Sequence, residues 1–267
     1  MAAVLQLEKI DKTFNQGTAT ENHALKQVSL EVNEGDYVSV IGGNGAGKST
    51  VLNAIAGAFL PDSGEIYIQG ASVTRLPEHK RAEYLGRVFQ DPMMGTASDM
   101  TIGENLALAL HRGERRGLSK GLSKAEKDYF YKELKTLDLG LENRIEDRIG
   151  LLSGGQRQAI TLLMSTIKKP KLLLLDEHTA ALDPKTAAKV LKLTDDIVAQ
   201  GKLTALMITH NLKDAIAHGN RLIMMNDGRI VFDVSGDEKK ALTVEYLLEK
   251  FSQSYSEEIF TDSILLA

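Results

Sequence analysis

The stretch Tyr37-Val38-Ser39-Val40-Ile41-Gly42-Gly43-Asn44-Gly45-Ala46-Gly47-Lys48-Ser49-Thr50 decides the fold. Its first five residues are a short β-rich run, the glycines break it, and a helical pattern follows from Gly47 to Ala56. Gly42 to Ser49 fits G-x-x-x-x-G-K-[ST] between a buried-type strand and a helix, the context in which that motif cradles a polyphosphate. Gly42, Gly45 and Gly47 let the backbone wrap phosphates without side-chain obstruction, and Asn44, Ala46 and Thr50 complete the cradle. The wrapped amides and the helix N-terminus supply positive potential. Lys48 is expected to reach the β and γ phosphates and Ser49 to offer its hydroxyl to Mg²⁺. A glycine-rich turn with an accidental lysine is the bland alternative, and the flanking strand and helix argue against it.

Outward from this unit, strand and helix signals alternate, the pattern of an α/β protein on a mostly parallel sheet. Val4 to Ile10, Leu25 to Val32 and Ser63 to Ile68 instead read as alternating strands with few helices between them, which predicts an antiparallel flank. From about Met100 the β-branched runs vanish. Helices are predicted over Thr101 to Leu110, Ser123 to Leu137, opened by a capping box, and Gly154 to Lys168. The charged, glycine-containing stretch HRGERRGLSKGLSK between the first two reads as a solvated loop. Strands then return at Leu172 to Leu175, Leu203 to Ile208 and Leu222 to Met225, with helices near Pro184 to Gln200 and Leu212 to Ala217. The predicted organisation is one domain over 1–237, its core and β flank at 1–90 and 170–237 and a helical subdomain inserted at 91–169. The tail, 238–267, contains the amphipathic ALTVEYLLEKF and has no assigned role.

Of 267 residues, 43% are hydrophobic and 25% charged, ordinary values for a globular domain able to bury a core. The net charge of −4 lacks the positive field of a nucleic-acid binder, so no nucleic-acid partner is expected. Without cysteine there is no disulfide framework, thiolate zinc site or cysteine nucleophile. The opening MAAVLQLEKIDK carries Gln6, Glu8 and Lys9 within its apolar stretch, which argues against a signal peptide. No apolar run approaches the ~20 residues of a membrane span, so a membrane role is expected to come through a partner.

Two further segments carry chemistry. Leu172-Leu173-Leu174-Leu175-Asp176-Glu177 is an apolar strand delivering two carboxylates at its C-terminal end, the edge where such sheets bind ligands. Consecutive residues there point in different directions, so Asp176 can hold Mg²⁺ through water while Glu177 faces the attacking water. Leu152-Ser153-Gly154-Gly155-Gln156 precedes a helix; Ser153 can cap it, and the following amides form a second anion-binding terminus.

LSGGQ upstream of Asp176 resembles the signature of the ATP-binding cassette (ABC) ATPases, and the motifs occur in that family's order across nearly the whole chain. The resemblance implies a P-loop NTPase, RecA-like core with an antiparallel β flank and an inserted helical subdomain. It implies a homodimer sandwiching two ATP with Mg²⁺, so that Lys48, Ser49, Asp176 and Glu177 of one subunit face Ser153, Gly154, Gly155 and Gln156 of the other. Gln90, after the strand Leu85 to Phe89, resembles the glutamine that contacts Mg²⁺ and attacking water and senses the membrane partner. Asp183 resembles the D-loop aspartate at the dimer interface, although before Pro184 it also reads as a helix cap. His210 resembles the switch histidine that contacts the γ-phosphate, and Phe14 stands near the adenine-stacking aromatic, with a β-flank core phenylalanine as the rival reading. Implied partners are integral membrane permease subunits and an extracytoplasmic substrate-binding protein, which would set the chain peripherally on the cytoplasmic face of the cell membrane. LLLLDEHTAALDPKTA is similar to uptake cassettes for aromatic or related amino acids, and a soluble ABC ATPase, such as an iron–sulfur assembly factor, is the alternative. The family usually has proline where this chain has His178, which is expected to perturb the base or to alter a turn. Met93 and Met94, just after Gln90, are expected at a membrane-partner surface, core burial being the rival.

Overall fold

The computed structural model describes residues 3–114 and 122–254. Residues 115–121 of the charged loop and 255–267 of the tail lie outside the described residues.

Two sheets carry the α/β core. In the first, β1 (Ala3–Phe14), β2 (Asn22–Asn33), β4 (Ser63–Ile68) and β5 (Ala71–Ser72) pair antiparallel in the order β2-β1-β4-β5. The second contains β3 (Tyr37–Ile41), β6 (Leu85–Val88), β7 (Leu172–Asp176), β8 (Ala205–Ile208), β9 (Arg221–Asn226) and β10 (Arg229–Ser235), in the order β10-β9-β3-β8-β7-β6. Every pairing from β9 to β6 is parallel, and β10 closes that edge as an antiparallel hairpin arm. All residues of β3 and β8 are buried, as parallel strands covered on both faces require. The antiparallel flank and parallel core are those expected; β10, with its alternating half-buried pattern, was not anticipated from the sequence.

α1 (Lys48–Ala56) lies between the two sheets' apolar faces, with Val51, Leu52 and Ile55 joining Leu5, Ile10, Leu25, Val38, Ile66 and Leu206 in one cluster. Arg81, at the end of α2 (Glu78–Arg81), is fully buried and spends its guanidinium on the carbonyls of Leu76, Ala54, Ile55 and Thr74. The Ala54 and Ile55 carbonyls belong to the last turn of α1, where backbone donors run short and Ala54 has only the Gly57 amide, so the arginine helps to cap α1 and ties it to the flank.

α3 (Ile102–Leu110), α4 (Lys124–Thr136) and α5 (Gly154–Thr166) form a separate apolar cluster around Leu106, Phe130, Leu134 and Ile160. Each starts with a reciprocal capping box, at Thr101, Ser123 and Ser153. α6 (Pro184–Gly201) is capped by Asp183 with proline at its first position, and α7 (Leu212–Ala217) by Asn211. The described part of the tail belongs to the fold: α8 (Gly236–Lys240) and α9 (Val244–Ser254) follow β10, and α9 buries Leu247 beside Leu212, Ala215 and Met224. Among the described residues no helix is long and apolar enough to cross a membrane.

Candidate functional site

The C-terminal ends of β3, β7 and β8 converge on a cavity of about 950 Å³. Gly42, Gly43 and Asn44 of the phosphate loop, Gln90, Glu177 and His210 line it, as do α6, α7 and the side chains Leu248 and Phe251 of α9.

The loop is built to present backbone. Gly47, the residue before α1, has φ 98°, and a Cβ there would stand 2.8 Å from the Ala24 carbonyl oxygen. Only glycine meets both demands. No side chain caps α1, so its first amides are free to face an anion. Lys48 is buried and donates through Nζ to the carbonyls of Gly42 at 2.8 Å and Gly43 at 3.0 Å, folded back on the loop it serves. Burial pulls its pKa down, opposed by the charges of Glu177 and Asp176.

The acidic side is built from side chains. Asp176 Oδ1 accepts from Ser49 Oγ at 3.4 Å and Oδ2 lies 3.7 Å from Arg87 Nη2. Burial raises its carboxyl above the usual range, Glu177 adds to that, and Arg87, Ser49 and Lys48 oppose it. Glu177 leaves β7 with φ 46°, a left-handed backbone that a glutamate seldom adopts, and its Oε1 lies 2.5 Å from His210 Nε2. Burial pushes Glu177 up, but the His210 hydrogen bond and the charges of His210 and Lys48 outweigh it and hold the carboxyl below its ordinary value. Ser49, Asp176 and the cavity-lining Gln90 form an all-oxygen donor set, with the first two already adjacent. That set suits a hard cation such as Mg²⁺, which takes few protein ligands and keeps water and phosphate oxygens.

The signature segment stands apart. Ser153 Oγ accepts from the Gln156 amide and Gln156 Oε1 from the Ser153 amide, each at 3.3 Å. Ser153 and Gly154 are exposed, and none of Ser153 to Gln156 lines the cavity. Gly155 is buried where a Cβ would overlap Thr186 of α6, so the start of α5 packs closely on α6. Asp183 is also exposed, its Oδ1 accepting from the Thr186 amide at 3.1 Å. Phe14 is half-buried, edge-to-face on Phe59 at 5.2 Å between centroids, with Lys12 Nζ 5.5 Å from its ring, and it does not line the cavity. Met93 and Met94 are 44% and 69% exposed, which removes the core alternative for both.

Arg87 escaped the sequence reading. Its guanidinium donates to Asn53 Oδ1 at 2.6 Å and lies over Phe89 while facing Asp176, and the signal was there as a lone charge inside the apolar strand Leu85 to Val88. Gln158, fully buried and donating to the Phe89 carbonyl at 3.3 Å, braces the strand exit that leads to Gln90; nothing in its local sequence marks it.

A phosphate loop at the exit of parallel strand β3, facing a carboxylate pair at the exit of β7 two strands away, defines a nucleoside-triphosphatase. The family model "ABC transporter" matches residues 25–180. The chain is 45% identical over 248 residues to a tyrosine transport ATP-binding protein of Clostridioides difficile, covering 93% of this chain and 98% of that one. It is 34% identical to a methionine import ATP-binding protein of Streptococcus pneumoniae, over 91% of this chain and 69% of that one. Its fold matches a dimeric ATP-binding cassette bound to ADP and phosphate with a TM-score of 0.74 and 30% identity, covering 86% of this chain and 98% of that one. The chain belongs to the ABC transporter family, as an ATP-binding subunit that hydrolyses ATP.

Proposed function

We propose that two copies of this chain close around two ATP and drive uptake of an aromatic amino acid, tyrosine or a close relative, through separate membrane subunits. The observation that carries the substrate class is the 45% identity, end to end, with a tyrosine transport ATP-binding protein. The domain division supports the cycle: core and flank at 1–90 and 170–237 hold the nucleotide, and the helical part at 91–169 carries the signature segment. Ser153 and Gly154 are exposed and away from the chain's own cavity, so they are free to complete the site of a second copy, with Asp183 exposed for the same interface. The dimeric cassette with ADP and phosphate supports the same arrangement.

In this reading the amides of the phosphate loop and Lys48 bind the β and γ phosphates, Lys48 exchanging the Gly42 and Gly43 carbonyls for phosphate oxygens. Bound Mg²⁺, held by Ser49, Asp176 and Gln90, would neutralise charge on the transferring phosphoryl group. Glu177, kept ionised by His210 and Lys48, accepts the proton of the attacking water; His210 is placed to release it and contact the γ-phosphate. Positioning and electrostatics supply most of the rate. Phe14 stacks on the adenine by turning from Phe59. Met93 and Met94, exposed beside Gln90, dock the permease, which sets the chain on the cytoplasmic face of the membrane. An extracytoplasmic binding protein delivers the substrate. A soluble assembly ATPase is the rival reading. The chain purified with its membrane partners and reconstituted in vesicles is expected to take up labelled tyrosine or a related aromatic amino acid with ATP. A stable complex containing no membrane-spanning protein would support the rival.

A further inference from the structure

The residue after Glu177 points the other way. His178 is 2% exposed, and its Nε2 lies 3.0 Å from Thr194 Oγ1 on α6. The Thr194 hydroxyl has one proton and donates it to the Val190 carbonyl at 2.8 Å, so Thr194 accepts and His178 Nε2 carries the hydrogen. One residue further along α6, Asp195 Oδ2 lies 2.7 Å from His218 Nδ1. His218 ends α7, the helix that begins just after His210. Two consecutive residues of α6 therefore hold two histidines, one adjoining Glu177 and the other at the far end of the helix that follows His210.

We propose that His178 is a positioning residue for hydrolysis: its bond to Thr194 anchors the turn after β7 and fixes the left-handed Glu177 backbone, while Asp195 and His218 register α7, and His210 with it, on the same turn of α6. This rests on the reading of Glu177 as the proton acceptor. A left-handed glutamate persists only where its surroundings over-determine it, and the His178 anchor is such a surrounding. Burial holds His178 neutral, with a pKa lowered to about 4; His218 lowers it further and Asp195 opposes. Nε2 carries a hydrogen in the protonated ring as in this neutral tautomer, so the geometry alone makes the histidine the donor to Thr194. His218 is raised in turn, first by its hydrogen bond to Asp195, which favours the charged form of that second tie. Proline in place of His178 would remove the donor ring and with it the tie from the turn after β7 to Thr194 on α6.

The test compares His178→Leu, His178→Gln and Thr194→Val with Glu177→Gln, each assayed for kcat, KM for ATP, nucleotide affinity and thermal melting. His178→Leu and Thr194→Val are expected to lower kcat about tenfold or more, since small misplacement of a reacting group is costly, with KM and nucleotide affinity within about twofold. Glutamine, whose side-chain amide can replace the Nε2–H donor, is expected to restore most of the turnover. His178→Leu added to Glu177→Gln is expected to cost nothing further. If His178→Leu fails to fold, Thr194→Val, which leaves the buried ring in place, reads the same bond. Wild-type kcat in folded Thr194→Val, an unrescued glutamine variant, or an undiminished loss in the Glu177→Gln background would overturn the proposal. Near wild-type turnover by Glu177→Gln alone would instead remove the proton-acceptor assignment.

Discussion

The phosphate loop and the turn after β7 face each other across one cavity and are made of different material. The loop works through main chain: glycines, free amides at the start of α1, and one lysine whose resting partners are the loop's own carbonyls. The turn works through side chains whose aim depends on residues far along the chain: Glu177 on His210, His178 on Thr194, Asp176 on Arg87. A backbone site can be specified within a dozen residues, because glycine and a helix start suffice. A side-chain site of matched acids and bases needs the whole fold to fix its distances.

The comparison predicts different failures. Glu177→Gln keeps size and much of the hydrogen bonding but removes the proton acceptor, so hydrolysis should fall by roughly 10² or more while ATP binding persists. Single-turnover assays beside nucleotide titration check it, and parallel loss of both would erase the distinction between the two regions. His178 gives a pH signature. Its folded pKa of about 4 lies below the unfolded value, so the unfolded chain takes up the proton first as pH falls from ~6.5, and stability is lost down to the folded pKa. The full cost is about 3 kcal/mol, and His178→Gln should flatten that acid limb in chemical denaturation series run between pH 7 and pH 4. Lys48→Ala, on the main-chain side, should weaken nucleotide binding itself by about 2 kcal/mol, the worth of a charged hydrogen bond, as read by equilibrium titration. Met94→Glu should leave melting within about 0.5 kcal/mol of wild type, as for an exposed site, and should leave the isolated subunit's turnover unchanged. It should still lose co-purification with the membrane partner; retained co-purification would remove the docking role.

The same contrast governs what could be read from sequence. The strand, glycine loop and helix at 37–56, the Ser123 capping box of α4, the Ser153 cap of α5 and the Asp183-Pro184 start of α6 are local signals, and the structure carries each; the Thr101 capping box of α3 is equally local and went unread. β10 was missed although its signal is local, the two-residue Asp227-Gly228 turn that joins it to β9; α9 was legible as an amphipathic stretch, but its place is set by packing on α7 and β9. In the site, Lys48, Ser49, Asp176 and Glu177 were legible as motif letters; Arg87 showed only as a lone charge in an apolar strand, and Thr194 and Asp195 matter by three-dimensional adjacency alone. His178 was visible as a departure, but its inward orientation was not.

In the proposed arrangement one chain does not complete its own nucleotide site. Ser153→Arg and Lys48→Ala chains, each expected to hydrolyse little ATP as a homodimer at low nucleotide concentration, are mixed in varying ratios and assayed for ATP hydrolysis in solution, with mixed dimers counted by native mass measurement. One composite site then joins an intact phosphate loop to an intact signature segment, so activity should return in proportion to mixed dimers, at about half the wild-type number of sites. Mixed dimers that form and hydrolyse nothing at any ratio would contradict it.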